Sequence, residues 1–215
     1  MFRFPFQAEP AASSSEIECG LVVIGQAIAC LDLLLDGFRK ILEPLAAKLV
    51  QVGTRDYQGT VHPLLDLRGN NHPENLVVMS IKDLLESRVL SKSSLQIRLL
   101  SPLRLFEEGH LADSFEFSRF AKSLLRRVSS LAYYYGGHES SWDYKELARQ
   151  ADAIVCSANH FDMRQEKNRK MSGLSGAGSF RGDFSGLLPF LIAGAYVHAG
   201  KGASFGMGVY ELSEC

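Results

Sequence analysis

The residue types best suited to holding a phosphate lie near the C-terminal end of this sequence. HAGKGASFGMGVY, His198–Tyr210, sets Gly200, Gly202, Gly206 and Gly208 around one cation, Lys201. Glycine lets the backbone turn sharply and come close to a ligand. Backbone N–H groups presented in this way can bind phosphate oxygens. Phe205 could stack on a base, or turn inward with Met207 as a strand begins. The pattern is not a dinucleotide fingerprint, because it runs into a strand and no βαβ unit follows. It is not GxxxxGK[ST] either, because Lys201 precedes the relevant glycine. On spacing alone, a phosphate site and a purely structural glycine hairpin are equally good readings.

A second cationic stretch precedes it. Arg164, Lys167, Arg169 and Lys170 lie in RQEKNRK and could neutralise backbone phosphates, which would make binding depend on salt. A solvated loop is the other reading. Histidine is the remaining group able to move protons near neutral pH. The six are His62, His72, His110, His138, His160 and His198. Only His198 adjoins the glycine run, either as an acid–base group or as a residue that orients the loop. No two histidines show HxH or HExxH spacing, so a metal site is not expected. Cys19, Cys30, Cys156 and Cys215 form no CxxC pair. They fit incidental thiols in a reducing cytoplasm better than a disulfide frame or a zinc site.

These residues need a scaffold. Residues 1–16, with two prolines and a serine cluster, read as irregular. IECGLVVI, 17–24, reads as a strand. A helical pattern through Leu31, Leu34, Leu35, Phe38 and Leu42 runs from 28 to about 49, bent or ended by Pro44. Short extended pieces are expected at 58–67 and 75–79 with a turn between, and a helix capped by Ser80 follows. From residue 91 the predicted order is strand, helix, strand, strand, helix, strand, with a short extra helix at SWDYKELARQ. That is the order of a ferredoxin-like split unit. The first long helix of this unit carries Phe117, Phe120, Leu124, Val128 and Leu131 on one face. It also carries Arg119, Lys122, Arg126 and Arg127, and it stops at Gly136 and Gly137. Tyr133, Tyr134 and Tyr135 point in different directions on it, so part packs inward and at most part reaches a ligand.

The 215 residues allow one domain or two small ones. Hydrophobic residues make up 46%, charged residues 22%, and the net charge is -1. A protein that binds nucleic acid through an overall basic excess is therefore excluded, and any RNA contact must come from local patches. The sequence opens without the apolar run of a signal peptide. Asp32 and Asp36 break the longest apolar run, so no membrane association is expected.

The terminal glycine-rich segment closely resembles that of the CRISPR repeat-processing endoribonucleases, within the repeat-associated (RAMP) superfamily. His198, Gly200, Lys201, Gly202, Phe205, Gly206, Gly208 and Tyr210 fall on the family pattern. Upstream, Arg164, Gln165, Lys170, Met171, Gly173, Gly176, Phe180 and Gly182 match as well. SPLRL, the helix ending SLAYYYGG, FPFQAEP and LVVIGQAI are also family-like. The resemblance implies an α+β chain in two parts. Residues 91–215 would form a ferredoxin-like, RRM-like RNA-binding domain. Residues 1–90 would form a partial or shortened ferredoxin-like unit, with the cutting half shortened or completed by a partner chain.

The implied function, in cytoplasmic antiviral defence, is binding and processing of CRISPR repeat RNA by metal-independent cleavage, without a cofactor. The alternative is a noncatalytic RNA-binding or scaffold subunit of a CRISPR effector complex. Implied partners are the repeat RNA and other CRISPR-associated subunits, with a homodimer as a further arrangement. Implied RNA contacts are Gly200, Lys201, Gly202, Phe205, Gly206, Gly208, Arg164, Lys167, Arg169 and Lys170. His198 is the candidate catalytic residue. The family's usual catalytic histidine lies in an N-terminal helical region expected to be missing here.

Overall fold

A computed structural model describes residues 2–3, 17–66, 68–137, 141–166 and 168–214. The chain divides into two compact units, one comprising Met1–Val23 with Leu90–Cys215 and the other Ile24–Val89.

The larger unit opens with β1 (Phe2–Arg3), paired antiparallel with β2 (Gly20–Leu21). The strand expected over 17–24 is thus only two residues long.

The smaller unit contains α1 (Leu31–Leu42), the hairpin β3 (Val52–Arg55) and β4 (Val61–Leu65), and α2 (Ile81–Ser87). The helix predicted over 28–49 is cut to twelve residues. A 3₁₀ segment, Gly25–Cys30, precedes it, and another, Glu43–Leu45, carries Pro44 and ends it. The piece expected to be extended at 75–79 pairs with no strand among the described residues. Its polar groups are used locally: Leu76 N–H donates to the Pro73 carbonyl (3.2 Å), and Val77 N–H donates to Thr54 Oγ1 (3.3 Å). Ser80 caps α2 as predicted, accepting from Asp83 N–H at 3.1 Å. Two turns in this unit share one spacing, Asp-x-x-Gly-x-x-His, at Asp56–His62 and Asp66–His72. In each, one Asp oxygen accepts two backbone N–H groups at 2.8–2.9 Å, from Gln58 and Thr60 or from Arg68 and Asn70. The other Asp oxygen faces the histidine Nε2, at 2.9 Å in the first turn and 3.5 Å in the second.

The rest of the larger unit is β5 (Ser94–Leu103), the small hairpin β6 (Phe106–Glu107) and β7 (His110–Leu111), α3 (Phe117–Gly136), α4 (Tyr144–Asp152), β8 (Val155–Arg164), β9 (Gly173–Arg181), α5 (Leu188–Val197) and β10 (Tyr210–Ser213). Its main sheet has the order β10-β5-β9-β8, with every neighbouring pair antiparallel. This is the ferredoxin-like order that the predicted element sequence demands: two strand–helix–strand units interleaved so that the first and third strands are central.

The core follows from periodicity. Leu95, Ile97 and Leu99 alternate inward on β5. Phe117, Phe120, Ala121, Leu124, Leu125 and Val128 form a stripe at three- and four-residue steps on α3. The α5 run Phe190–Ala195 is buried at six consecutive positions, so this helix is covered all round. The Tyr210 hydroxyl donates to the Leu191 carbonyl at 2.6 Å, tying β10 to α5. Burial pushes its phenol well above the ordinary tyrosine range. Asp143 caps α4 by accepting from Lys145 and Glu146 N–H, both at 3.0 Å. Among the described residues no helix is long and apolar enough to cross a membrane.

Candidate nucleic-acid interface

The glycine-rich segment leaves α5 at His198, whose φ is +61°. Its ring is completely buried, 0% exposed, with Nδ1 3.1 Å from the Ala203 carbonyl. A carbonyl only accepts, so this contact places the proton on Nδ1. The ring therefore braces the loop from inside and cannot touch a surface phosphate unless the loop opens.

Most of the loop's amides are also turned inward. Ala199 N–H donates to the Gly208 carbonyl (2.9 Å), Gly208 N–H to Pro102 (3.0 Å), Phe205 N–H to Gly202 (2.8 Å), Gly206 N–H to Ala203 (3.2 Å) and Met207 N–H to Gly202 (3.3 Å). Gly208 has φ +65°, and a Cβ there would lie 1.9 Å from the Ala199 carbonyl oxygen. Only glycine fits that crossing. The loop is thus a self-bonded knot fastened to the end of β5, and not an open cradle of amides around an anion. Gly206 and Gly208 are buried, Gly200 and Gly202 half-buried.

What the knot presents is Lys201. Its N–H donates to the Arg104 carbonyl at 2.9 Å, which sets its exposed side chain beside the end of β5. The Arg104 guanidinium donates from Nη1 to the Lys170 carbonyl at 2.5 Å. Arg104 therefore joins the two segments that the sequence singles out separately. Beside it lies a cleft of about 310 Å³ lined by Arg104, Leu105, Phe106, Arg119, Ser123, Arg126 and Lys201. Lys201 Nζ stands 4.8 Å from the Phe106 ring centroid, and the Arg104 guanidinium carbon stands 5.7 Å from it, both in cation–π range. α3 supplies Arg119, Ser123 and Arg126 from successive turns of its outer face, opposite its buried stripe.

Four cations thus line one cleft, two of them, Arg104 and Lys201, against its partly exposed aromatic ring. Arg119 is matched by Glu107 (2.6 Å) and Glu116 (3.1 Å). Arg104, Arg126 and Lys201 make no ion pair among the described residues. A local positive field results on a chain of nearly zero net charge. Chemically, the cleft can hold a phosphate against its guanidinium and ammonium groups, and a base against Phe106.

The other candidates are dispersed. Phe205 is 73% exposed on a 3₁₀ turn at the loop's surface. Arg164 is exposed and paired with Glu166 at 2.7 Å. Lys170 is exposed, with its carbonyl at Arg104. Arg169 lies in a 3₁₀ turn, Arg169–Met171, and its side chain is outside the described residues, as are Lys167, His138 and Cys215. His62 and His72 sit in the two Asp-capped turns of the smaller unit. His72 is raised above the ordinary histidine range by Glu74 and then Asp66. His110 and His160 are exposed, as are the thiols Cys19, Cys30 and Cys156. On α3, Lys122 pairs with Asp152 at 2.6 Å, which holds that carboxyl below its usual range. Arg127 turns away from the cleft to donate to the Val197 carbonyl at 2.8 Å, and burial lowers its pKa. Sequence reasoning does not find Arg104 or Phe106 as ligand-facing groups. The only signal for Arg104 is SPLRL, a family-like segment bearing a single cation, and Phe106 lies one residue past its end.

The family model for the CRISPR-associated endoribonuclease Cas6 matches residues 97–210, which contain every residue of the cleft. No curated protein sequence matches the chain. Among solved structures, Thermus thermophilus Cas6 is 17% identical, with 63% of this chain covered, 58% of that one and a TM-score of 0.50. A mutant Cas6 protein is 18% identical over 69% of this chain and 64% of that one, also with a TM-score of 0.50. A chain of a partial Cas6-RT-Cas1–Cas2 complex is 16% identical, with 92% of this chain but 35% of that one covered and a TM-score of 0.58. The chain thus spans about three fifths of the length of the Cas6 structures it matches. By the family match over more than half its length, it belongs to the CRISPR-associated endoribonuclease Cas6 family.

Proposed function

We propose that this protein binds CRISPR repeat RNA through the cleft of Arg104, Phe106, Arg126 and Lys201, and takes part in its metal-independent endonucleolytic processing. The observation that carries the reading is the gathering of four cations in one cleft, two of them against its aromatic ring, within the stretch that matches the family. In such cleavage the ribose 2′-oxygen bonds to the adjacent phosphorus and the bond to the 5′-oxygen breaks. The products are a 2′,3′-cyclic phosphate and a 5′-hydroxyl. A base takes the 2′ proton, the leaving oxygen gains one, and cations hold the extra negative charge on the phosphate. Lys201, Arg126 and Arg104 suit that last role. Lys170 and Phe205 extend the RNA-binding surface around them, and Arg164, Lys167 and Arg169 are the further candidates in the preceding stretch of sequence. Gly200, Gly202, Gly206 and Gly208 serve by shaping the knot that holds Lys201 out.

His198 acts on the reaction through that knot, as a positioning residue. Its burial favours a second reading, a noncatalytic RNA-binding or scaffold subunit. Other CRISPR-associated subunits, as in the Cas6-RT-Cas1–Cas2 complex that holds one of the similar chains, or a second copy of this chain would then be its partners. The setting is the cytoplasm.

The test is incubation of labelled repeat RNA with the protein and a chelator, with the scissile 2′-OH present or removed. Product that requires the 2′-OH but no metal supports processing. Salt-sensitive binding without product selects the scaffold reading, and failure to bind sinks both.

A further inference from the structure

The outer face of α3 does not end at the cleft. Arg119, Ser123 and Arg126 line it, and the same face continues through Ser130 to Tyr133 and Tyr134, because four- and seven-residue steps return to one side of a helix. Ser130 is exposed and its hydroxyl donates to the Arg126 carbonyl at 2.8 Å, so it adds little bulk. Tyr133 is 54% exposed and Tyr134 75%, with ring centroids 5.1 Å apart and near-perpendicular planes. Tyr135 points elsewhere on the helix wheel. The stripe therefore reads cation, serine, cation, serine, tyrosine pair, over about 21 Å at 1.5 Å per residue.

We infer that this face of α3 is a track for single-stranded RNA leaving the cleft, with a phosphate against Arg126 and unpaired bases stacked on Tyr133 and Tyr134. The inference rests on the cleft being an RNA site, and it adds a substrate form: an unpaired stretch next to the bound phosphate. Cations that follow a backbone, alternating with exposed aromatic rings, are what a single strand needs, because every base has a face to stack. A duplex keeps its bases stacked on each other and has none to offer the tyrosines. A helix that docks in an apolar protein groove presents a run of apolar anchors at three- and four-residue steps, whereas this face holds Arg119, Ser123, Arg126 and Ser130 before its tyrosines. The tyrosines sit about 10 Å beyond Arg126 along the axis, in line with the cations.

The test is anisotropy of the full chain with labelled single-stranded repeat RNA and with a fully double-stranded form. The variants are Tyr133→Ala/Tyr134→Ala, Tyr133→Phe/Tyr134→Phe, and Lys201→Ala/Arg126→Ala as a probe of the cleft. Circular dichroism confirms that each variant is folded. The alanine pair is expected to weaken single-strand binding between about fivefold and 150-fold per stacked base lost, with little change in salt dependence and none for the duplex. The phenylalanine pair keeps wild-type affinity, because the ring face is retained. Wild-type affinity in the tyrosine-to-alanine pair, alongside weakened binding in the cleft variant, overturns the track and leaves the cleft assignment standing. The same unchanged affinity, coupled to loss of self-association in sedimentation, would make the tyrosines a protein-facing patch. If the wild-type chain binds no repeat RNA, both readings fall.

Discussion

Gly208→Ala separates two reasons for which a glycine can be needed. Gly208 has φ +65° and would place a Cβ 1.9 Å from the Ala199 carbonyl oxygen, whereas Gly137, which ends α3 at φ +67°, has nothing within 4 Å of that position. Alanine at Gly137 bears only the left-handed backbone cost, about 1 kcal/mol. Alanine at Gly208 bears the same cost and must also push Ala199 away. That movement breaks or stretches the Ala199–Gly208 and Gly208–Pro102 hydrogen bonds, each of about 1 kcal/mol. The expected loss is therefore about 3 to 4 kcal/mol at Gly208 against about 1 at Gly137. Denaturant unfolding of both variants, followed by a probe in the larger unit, measures the difference. RNA affinity should fall with Gly208→Ala and not with Gly137→Ala, because the first shift moves Lys201 away from Arg104. Equal destabilisation by the two would refute the claim that a backbone crossing at Ala199 holds the loop.

Lys201→Ala and Arg126→Ala should each reduce the slope of log affinity against log salt by about 0.7, the value for one phosphate contact on a single strand; titration at several salt concentrations reads this directly, and an unchanged slope removes that residue from the interface. His198→Ala should lower the melting temperature and RNA affinity together, since the ring braces Ala203 from within. Loss of cleavage with wild-type melting and binding would instead make the ring a reacting group. The Asp66 carboxyl is held down to about 2 by Asn70, through its side chain and then its backbone, with help from Arg68. A depressed carboxyl stabilises above its unfolded pKa, so this contribution should fade as pH drops from about 4 toward 2. Asp66→Asn should flatten that part of the acid-unfolding curve of the smaller unit. His72, raised by Glu74 and then Asp66, works in the opposite sense. Its contribution is complete below the ordinary histidine range and is lost as pH rises through its raised value, a dependence that His72→Gln should abolish when the stability of the smaller unit is followed from neutral to alkaline pH.

Periodicity and punctuation made most of the larger unit legible. The buried stripe of α3, the alternation of Leu95, Ile97 and Leu99, the cap at Ser80 and the glycines ending α3 are local signals, each set by neighbours within a turn or a strand. The order of elements after residue 91 then leaves few ways to close a sheet, so β10-β5-β9-β8 follows. The small unit was harder to read. Its strands are four and five residues long, and its turns are set by Asp56 and Asp66 reaching across to backbone groups.

From composition and order alone, then, come an α+β chain, a split strand–helix arrangement, and the need for a local rather than global basic surface. Which cations share that surface was decided only by the tertiary fold. Arg104, Arg119, Arg126 and Lys201 are separated by up to 97 residues (from 104 to 201), and no periodicity links Arg104 and Lys201 to the pair Arg119 and Arg126 that one helix face carries. A knot of glycines at the end of β5 and the outer face of α3 bring them to one cleft. The same fold turns His198 inward, although sequence proximity alone would have put it at the chemistry. The reason is physical: a side chain's direction depends on backbone dihedrals and on what packs behind it, and at His198 both are set by Ala203 and the close crossing of Gly208 over Ala199.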